Sequence, residues 1–272
     1  MKPNILRIIA LTVMSFLCFT TVASEIGKCR ILSLNAGEDY GAYQLGVFKS
    51  LVKNLPTEER SWEVVTGLSI GAINGVLISL FEEGQEEKAA KLLESFWRSF
   101  ESKENIFESW TPSEVYAPTF DSLHKNSFYN DTPLRELITK KLSGKSLTRE
   151  FITGATNLRT GLYKSFNSHD LSREELISAV MASASIPGYF PPVVLNGEHY
   201  IKGGLIKEDD IVSGINSCKA KGYHEEDIFV DQIQGLYQKL EEKDPASLEP
   251  DQIFLRMTDI QDQAHLANEA NF

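Results

Sequence analysis

Val65-Thr66-Gly67-Leu68-Ser69-Ile70-Gly71-Ala72-Ile73-Asn74-Gly75 is the stretch whose reading decides the fold. A β-branched run from Glu63 to Thr66 enters it, and a nearly uncharged apolar run, Gly71 to Phe81, leaves it. The pattern predicts strand, tight turn, helix. At its centre stands Gly-x-Ser-x-Gly. Gly67 and Gly71 place no side chain beside the serine, which allows a sharp turn that lifts the Ser69 hydroxyl to the helix N-terminus. There the first backbone N–H groups and the helix dipole favour developing negative charge. Ser69 is the candidate nucleophile, and Gly67 and Gly71 shape its elbow.

Upstream, Cys29 to Leu34 reads as a buried strand, Asn35-Ala36-Gly37 as a turn and Ala42 to Asn54 as a helix. Downstream, Gln85 to Phe100 carries an apolar stripe at helical spacing. Residues 102–130 form an irregular stretch long enough for a lid or binding segment. Thr132-Pro133 opens a helix to Leu142, with Thr132 as its cap. Strands are expected over Phe151–Asn157 and Leu162–Phe166. Ser172 with Glu175 makes a capping box for a helix that ends near Ser183. A stiff connector, Ile186-Pro187-Gly188-Tyr189-Phe190-Pro191-Pro192, precedes short strands near Val193 and Tyr200. A helix near Asp210–Lys219, a strand over Ile228–Ile233, a helix near Leu236–Glu242 and a strand near Ile253–Met257 complete the pattern. Alternating strands and helices predict one α/β domain with a mostly parallel central sheet.

The 272 residues suffice for one well-buried domain. Lys2 and Arg7, the uncharged run Ile8 to Ala23 and the small residues before Glu25 follow the order of a secretory signal peptide. The expected layout is a signal over 1–24, cleaved after Ala23 or Ser24, a folded domain over 25–258 and a polar tail over 259–272. Removing Lys2 and Arg7 takes the net charge from −11 to −13. Such an acidic chain argues against nucleic acid as a partner. Cys29 and Cys218 remain after cleavage, and the sequence leaves open whether they pair.

Two fold families use a serine elbow of this kind. An α/β-hydrolase places several strands before the serine and a histidine late in the chain. Here two strands precede Ser69. Of His124, His169, His199, His224 and His265, only His265 has the right order, and it lies in the tail. The other family is matched by four blocks in order. They are Leu32 to Gly46, Val65 to Gly75, Ala182 to Pro192, and His199-Tyr200-Ile201-Lys202-Gly203-Gly204. Together these resemble the patatin-like phospholipases. The resemblance implies a three-layer α/β/α sandwich, hydrolysis of lipid acyl esters by a Ser–Asp dyad, an oxyanion loop at Ala36-Gly37-Glu38 and no cofactor. It also implies a lipid or other acyl ester as partner, with transient contact at a membrane surface.

The sequence departs from that family at two places. The dyad aspartate falls at Lys202, and an ammonium cannot accept the serine proton. Ser69 then turns over poorly, or Lys202 works as a neutral base, or a nearby carboxylate such as Asp209 or Asp210 substitutes. In the oxyanion loop, Ala36 and Glu38 stand where the family carries glycine, and a carboxylate beside a forming oxyanion is repulsive. These departures predict weakened hydrolysis, with an inactive lipid-binding protein as the alternative. Lys140, Lys141, Lys145 and Arg149 read as a solvated basic face, with a lipid-headgroup site as the alternative. Phe107 and Trp110 are candidates for a lipid entrance, whereas Trp97 and Phe100 fit a core stripe. No metal-ligand spacing occurs.

Overall fold

Cys29–Leu34 forms β1, one strand in from the edge of a seven-stranded sheet and paired on both sides. The computed structural model describes residues 27–37, 40–100, 106–109 and 126–235, with scattered positions between 242 and 264. The expected signal, Glu38, Trp110, His124, His265 and most of the predicted 236–242 helix lie outside the described residues.

The chain continues through α1 (Gly41–Asn54), the single turn α2 (Thr57–Arg60), β2 (Val64–Gly67), α3 (Ile70–Ile78) and α4 (Glu86–Arg98). A two-stranded ribbon pairs β3 (Glu108–Ser109) with β4 (Tyr129–Asn130). Next come α5 (Thr132–Leu142), β5 (Glu150–Asn157), β6 (Tyr163–Asn167) and α6 (Arg173–Ala184). The last elements are β7 (Val193–Leu195), β8 (Glu198–Ile201), α7 (Ile211–Ala220) and β9 (Ile228–Ile233).

The sheet order is β7-β8-β5-β2-β1-β9, with β6 also on β5. Parallel pairing joins β9 to β1, β1 to β2 and β2 to β5, whereas β6 and β8 run antiparallel to β5. Since β7 is antiparallel to β8, five of the seven strands share one direction. This is the expected mostly parallel sheet of a single α/β domain, and helices cover both of its faces.

The two faces are covered very differently. On one face α1, α3, α4, α5 and α6 bury a continuous apolar cluster that includes Leu32, Val65, Leu77, Phe96 and Phe151. β-Strand alternation sends the other set of side chains to the opposite face. There, among the described residues, α7 is the helix that packs over Ile31, Val64 and Ile152, together with Cys29 and Cys218, and Tyr223 and Ile228 pack beside it. The two cysteines form a disulfide that ties the first residue of β1 to α7 across 189 residues. Gly214 lets α7 lie close, because a Cβ there would meet Ile31 and Thr66 side chains at 3.0 Å.

Local chemistry explains most boundaries. The capping box at Ser172 forms as expected, with Ser172 Oγ accepting the Glu175 N–H and Glu175 accepting the Ser172 N–H. At α5 the cap position is Asp131 rather than Thr132. Asn130 Oδ1 accepts both the N–H and the hydroxyl of Thr132. The predicted last strand is corrected too: Gln252, Ile253, Arg256 and Met257 are helical. A short apolar run such as Ile253-Phe254-Leu255 does not by itself distinguish strand from helix.

Candidate active site

The C-terminal edge of the parallel strands carries the candidate residues. β2 ends at Gly67, Ser69 follows, and α3 begins at Ile70. Ser69 adopts φ 54° and ψ −119°, a conformation that side-chain-bearing residues rarely take. Holding it there costs about 1–3 kcal/mol, which surrounding packing must offset. Both flanking glycines are required sterically. A Cβ on Gly67 would stand 2.2 Å from the Gly71 carbonyl oxygen, and one on Gly71 would stand 2.2 Å from that of Leu34. Ser69 is 5% exposed at the N-terminus of α3.

The elbow amides can be accounted for one by one. Leu68 N–H donates to Leu34 O, Gly71 N–H to Leu68 O, and Ala72 N–H to Ser69 O. Ser69 N–H donates to Ser183 Oγ at 2.9 Å, both groups being buried. Among the described residues, no acceptor meets the Ile70 N–H, which points along the start of the helix.

Beside the elbow, Asn35, Ala36 and Gly37 follow β1. Ala36 N–H is taken by Glu208 O at 2.9 Å, so that amide is spent. Gly37 has φ 151°, which favours glycine, and a Cβ there would press on the Tyr40 ring at 3.0 Å. An amide relay braces this turn. Gln44 Nε2 donates to Asn35 O, Asn74 Nδ2 to Gln44 Oε1, and Trp97 Nε1 to Asn74 Oδ1. From the other side Gln232 Nε2 donates to Asn35 Oδ1. Trp97 thus serves the framework, as the core-stripe reading expected.

Lys202 leaves β8 and enters the 3-10 turn Gly203–Leu205. It is 2% exposed, with its N–H on Ser185 O and its carbonyl accepting from Thr156 Oγ1. Gly203 packs directly on β5, where a Cβ would stand 2.2 Å from Gly154 O and 3.1 Å from Ser183 Oγ. A Cβ on Gly204 would fall 2.8 Å from Ala36 Cβ and 3.3 Å from Lys202 Cε. The two glycines therefore bring the Lys202 stem beside Ala36 and seat its loop against Ser183, the partner of Ser69.

Asp209 borders this centre through Gln232, which also donates to Asn35, and the other candidates separate from it. Asp210 is buried and accepts from Ser165 and Ser213, with Lys207 Nζ 3.7 Å away. Asp209 accepts from Ile211 N–H and Gln232 Nε2. Both carboxylates are thus committed to the start of α7 and its surroundings. His169, His199 and His224 are exposed. Arg149 is not part of a solvated face. It is buried, paired with Glu86 at 2.6 Å, and donates to the carbonyls of Trp62, Phe81 and Glu82. Lys145, His169 and Arg173 line a cleft of about 220 Å³ at the opposite edge of the sheet. Arg173 donates to Leu142 O at the C-terminus of α5, where cations are ordinarily favoured. Phe107 packs with Tyr129, Tyr189 and Phe190, joining the β3–β4 ribbon to the Pro-rich connector. Among the described residues no group of three His, Cys, Asp or Glu could hold a metal ion.

Ser183 and Glu208 were not singled out by sequence. A serine near the end of a small-residue helix carries no local mark, and neither does a backbone carbonyl.

The fold and the site define an α/β protein with a serine elbow of the acyl-hydrolase type. The patatin-like phospholipase family model matches residues 32–211, and the chain belongs to that family. The human calcium-independent phospholipase A2-gamma is 23% identical over 202 residues. That match covers 70% of this chain and 26% of the relative, so the chain spans about a quarter of the relative's length. Among solved structures, VipD from Legionella pneumophila is similar with a TM-score of 0.45 and 13% identity, covering 76% of this chain and 49% of VipD.

Proposed function

We propose that this chain binds a lipid acyl ester at Ser69 and hydrolyses it slowly, because the elbow is intact and the proton acceptor is replaced by Lys202. The observation that carries the reading is Ser69, held at φ 54° at the mouth of α3 with Lys202 buried in the adjoining loop. Attack forms the bond from Ser69 Oγ to the ester carbonyl carbon, and the hydroxyl proton must pass to a base and then to the leaving alcohol. A protonated Lys202 has no lone pair for that proton. Of the oxyanion-loop amides, Ala36 is already engaged, which leaves Gly37 N–H among the described residues, with Ile70 N–H at the helix start.

Leu158 and Leu162 lie exposed on the β5–β6 turn, at the same sheet edge as Ser69, with Arg159 between them. They support transient contact with a lipid surface. The reading also includes export. The basic start and apolar run before Glu25 support it, as does a disulfide of a kind that persists in oxidising compartments. N-terminal sequencing of the exported protein should begin at Ser24 or Glu25.

A fluorophosphonate probe should label wild type at Ser69 and leave Ser69→Ala unlabelled. Turnover of short-chain esters should be far below ordinary serine-hydrolase rates, and Lys202→Asp should raise it by about a hundredfold, the lower range for a positioned base. Rapid wild-type turnover that is lost in Ser69→Ala would overturn the slow-enzyme reading. A folded, unlabelled wild type would favour a non-catalytic lipid-binding protein.

A further inference from the structure

We infer that Ser183 holds the elbow in its working conformation and is a positioning residue for chemistry at Ser69. The inference uses the proposed nucleophilic role of Ser69 only for its kinetic readout.

Ser183 sits in α6 with no solvent exposure, 114 residues from Ser69 in sequence. Its Oγ accepts the Ser69 N–H at 2.9 Å. A serine at positive φ just before a helix has an N–H that no intrahelical carbonyl can take. Leu34 O, the nearby strand carbonyl, already accepts from Leu68. Left unpaired in a buried turn, the Ser69 N–H would carry a desolvation penalty and favour a relaxed backbone. The Ser183 hydroxyl removes that penalty only while the strained conformation persists. It also determines which amide remains uncommitted at the elbow, namely that of Ile70.

The same oxygen meets the Lys202 loop. A Cβ on Gly203 would approach Ser183 Oγ to 3.1 Å, so Gly203 rests against the hydroxyl that secures Ser69. Ser183 therefore borders both the elbow and the Lys202 loop.

The test uses the full chain and three variants, Ser183→Ala, Ser183→Thr and Ser183→Cys. Fluorophosphonate labelling gives a limiting rate and an apparent affinity, and hydrogen exchange over residues 66–76 reports the Ser69 amide directly. Ser183→Ala should lower the limiting labelling rate about tenfold with unchanged apparent affinity, and should speed exchange in that segment about tenfold, as expected for loss of one buried acceptor. Ser183→Thr, which keeps the hydroxyl, should restore both. If Ser183→Ala does not fold, Ser183→Cys preserves the volume with a weak acceptor and should move both readings in the same direction. Unchanged exchange and unchanged limiting rate in either variant would overturn the inference. An unlabelled wild type would instead defeat the Ser69 proposal, and exchange alone would then decide the role of Ser183.

Discussion

One face of the sheet is held by five helices and a broad apolar cluster, whereas the other is held by α7, three aliphatic side chains and a disulfide. The faces reach stability by different physics. The broad face removes apolar area from water and fills its interior with interlocking side chains. On the narrow face, a ten-residue helix buries too little for that route, and a covalent link between β1 and α7 limits the unfolded chain instead. The serine elbow belongs to the broad face through α3, and Asp209 and Asp210 belong to the narrow face through α7.

The largest effect should follow from breaking the covalent link. For a loop of this size, loss of the disulfide in Cys29→Ser with Cys218→Ser should cost up to about 5 kcal/mol by the chain-entropy argument. A urea titration of oxidised and variant protein would check it, and an unchanged midpoint would show that α7 packs well without the bond. Next in size, Leu77→Ala on the broad face should cost about 2–5 kcal/mol, because Leu77 is wholly buried. By contrast Ile215→Ala on α7, only half-buried, should cost about 1 kcal/mol. Equal losses in these two variants would erase the distinction between the faces.

The smallest effect concerns the polar clamp at the C-terminal end of α7. Lys221 Nζ lies 2.8 Å from Glu63 and 2.9 Å from Glu150, and Tyr223 donates to Glu63 at 2.9 Å. Burial pushes the Glu150 carboxyl up, but hydrogen bonds from Ser217, Lys221 and Asn167 outweigh it and hold the group below its usual 4.5. Burial pulls Lys221 down, and Glu63 and Glu150 more than restore it, to above its usual 10.5. A lowered carboxyl contributes stability that is fully present above 4.5 and is lost as pH falls through its folded pKa. A raised ammonium contributes stability that is present below 10.5 and is lost as pH rises through its folded pKa. Lys221→Met should therefore flatten both limbs of the stability–pH curve, by less than about 1 kcal/mol given solvent screening. Thermal melts across pH 3–5 and above pH 10 would measure it, and identical curves would remove the clamp from the account.

What the sequence revealed depended on how local the cause was. The elbow was legible because Gly67 and Gly71 are demanded by contacts within a few residues or with the adjoining strand. The capping box of Ser172 and Glu175 was legible for the same reason. The disulfide was not, because it depends on where α7 lies against β1, 189 residues away. Arg149 was grouped with neighbouring lysines, yet carbonyls from Trp62, Phe81 and Glu82 converge on it only in the folded chain. Ser183 was hidden similarly, since its partner arrives from another helix–strand unit. For the candidate site, the elbow pattern singled out Ser69, and the family resemblance pointed to Lys202 and the turn at Ala36 and Gly37. The hydrogen bonds that engage Ala36, Asp209 and Asp210 required three dimensions.

The link from Cys29 to Cys218 has a topological consequence. It closes the intervening polypeptide into a ring that contains both Ser69 and Lys202. One proteolytic cut anywhere inside that ring opens it without releasing a fragment. The nicked molecule would run as a single species on a non-reducing gel and as two pieces after reduction, so cleavage between the two halves of the site need not separate them.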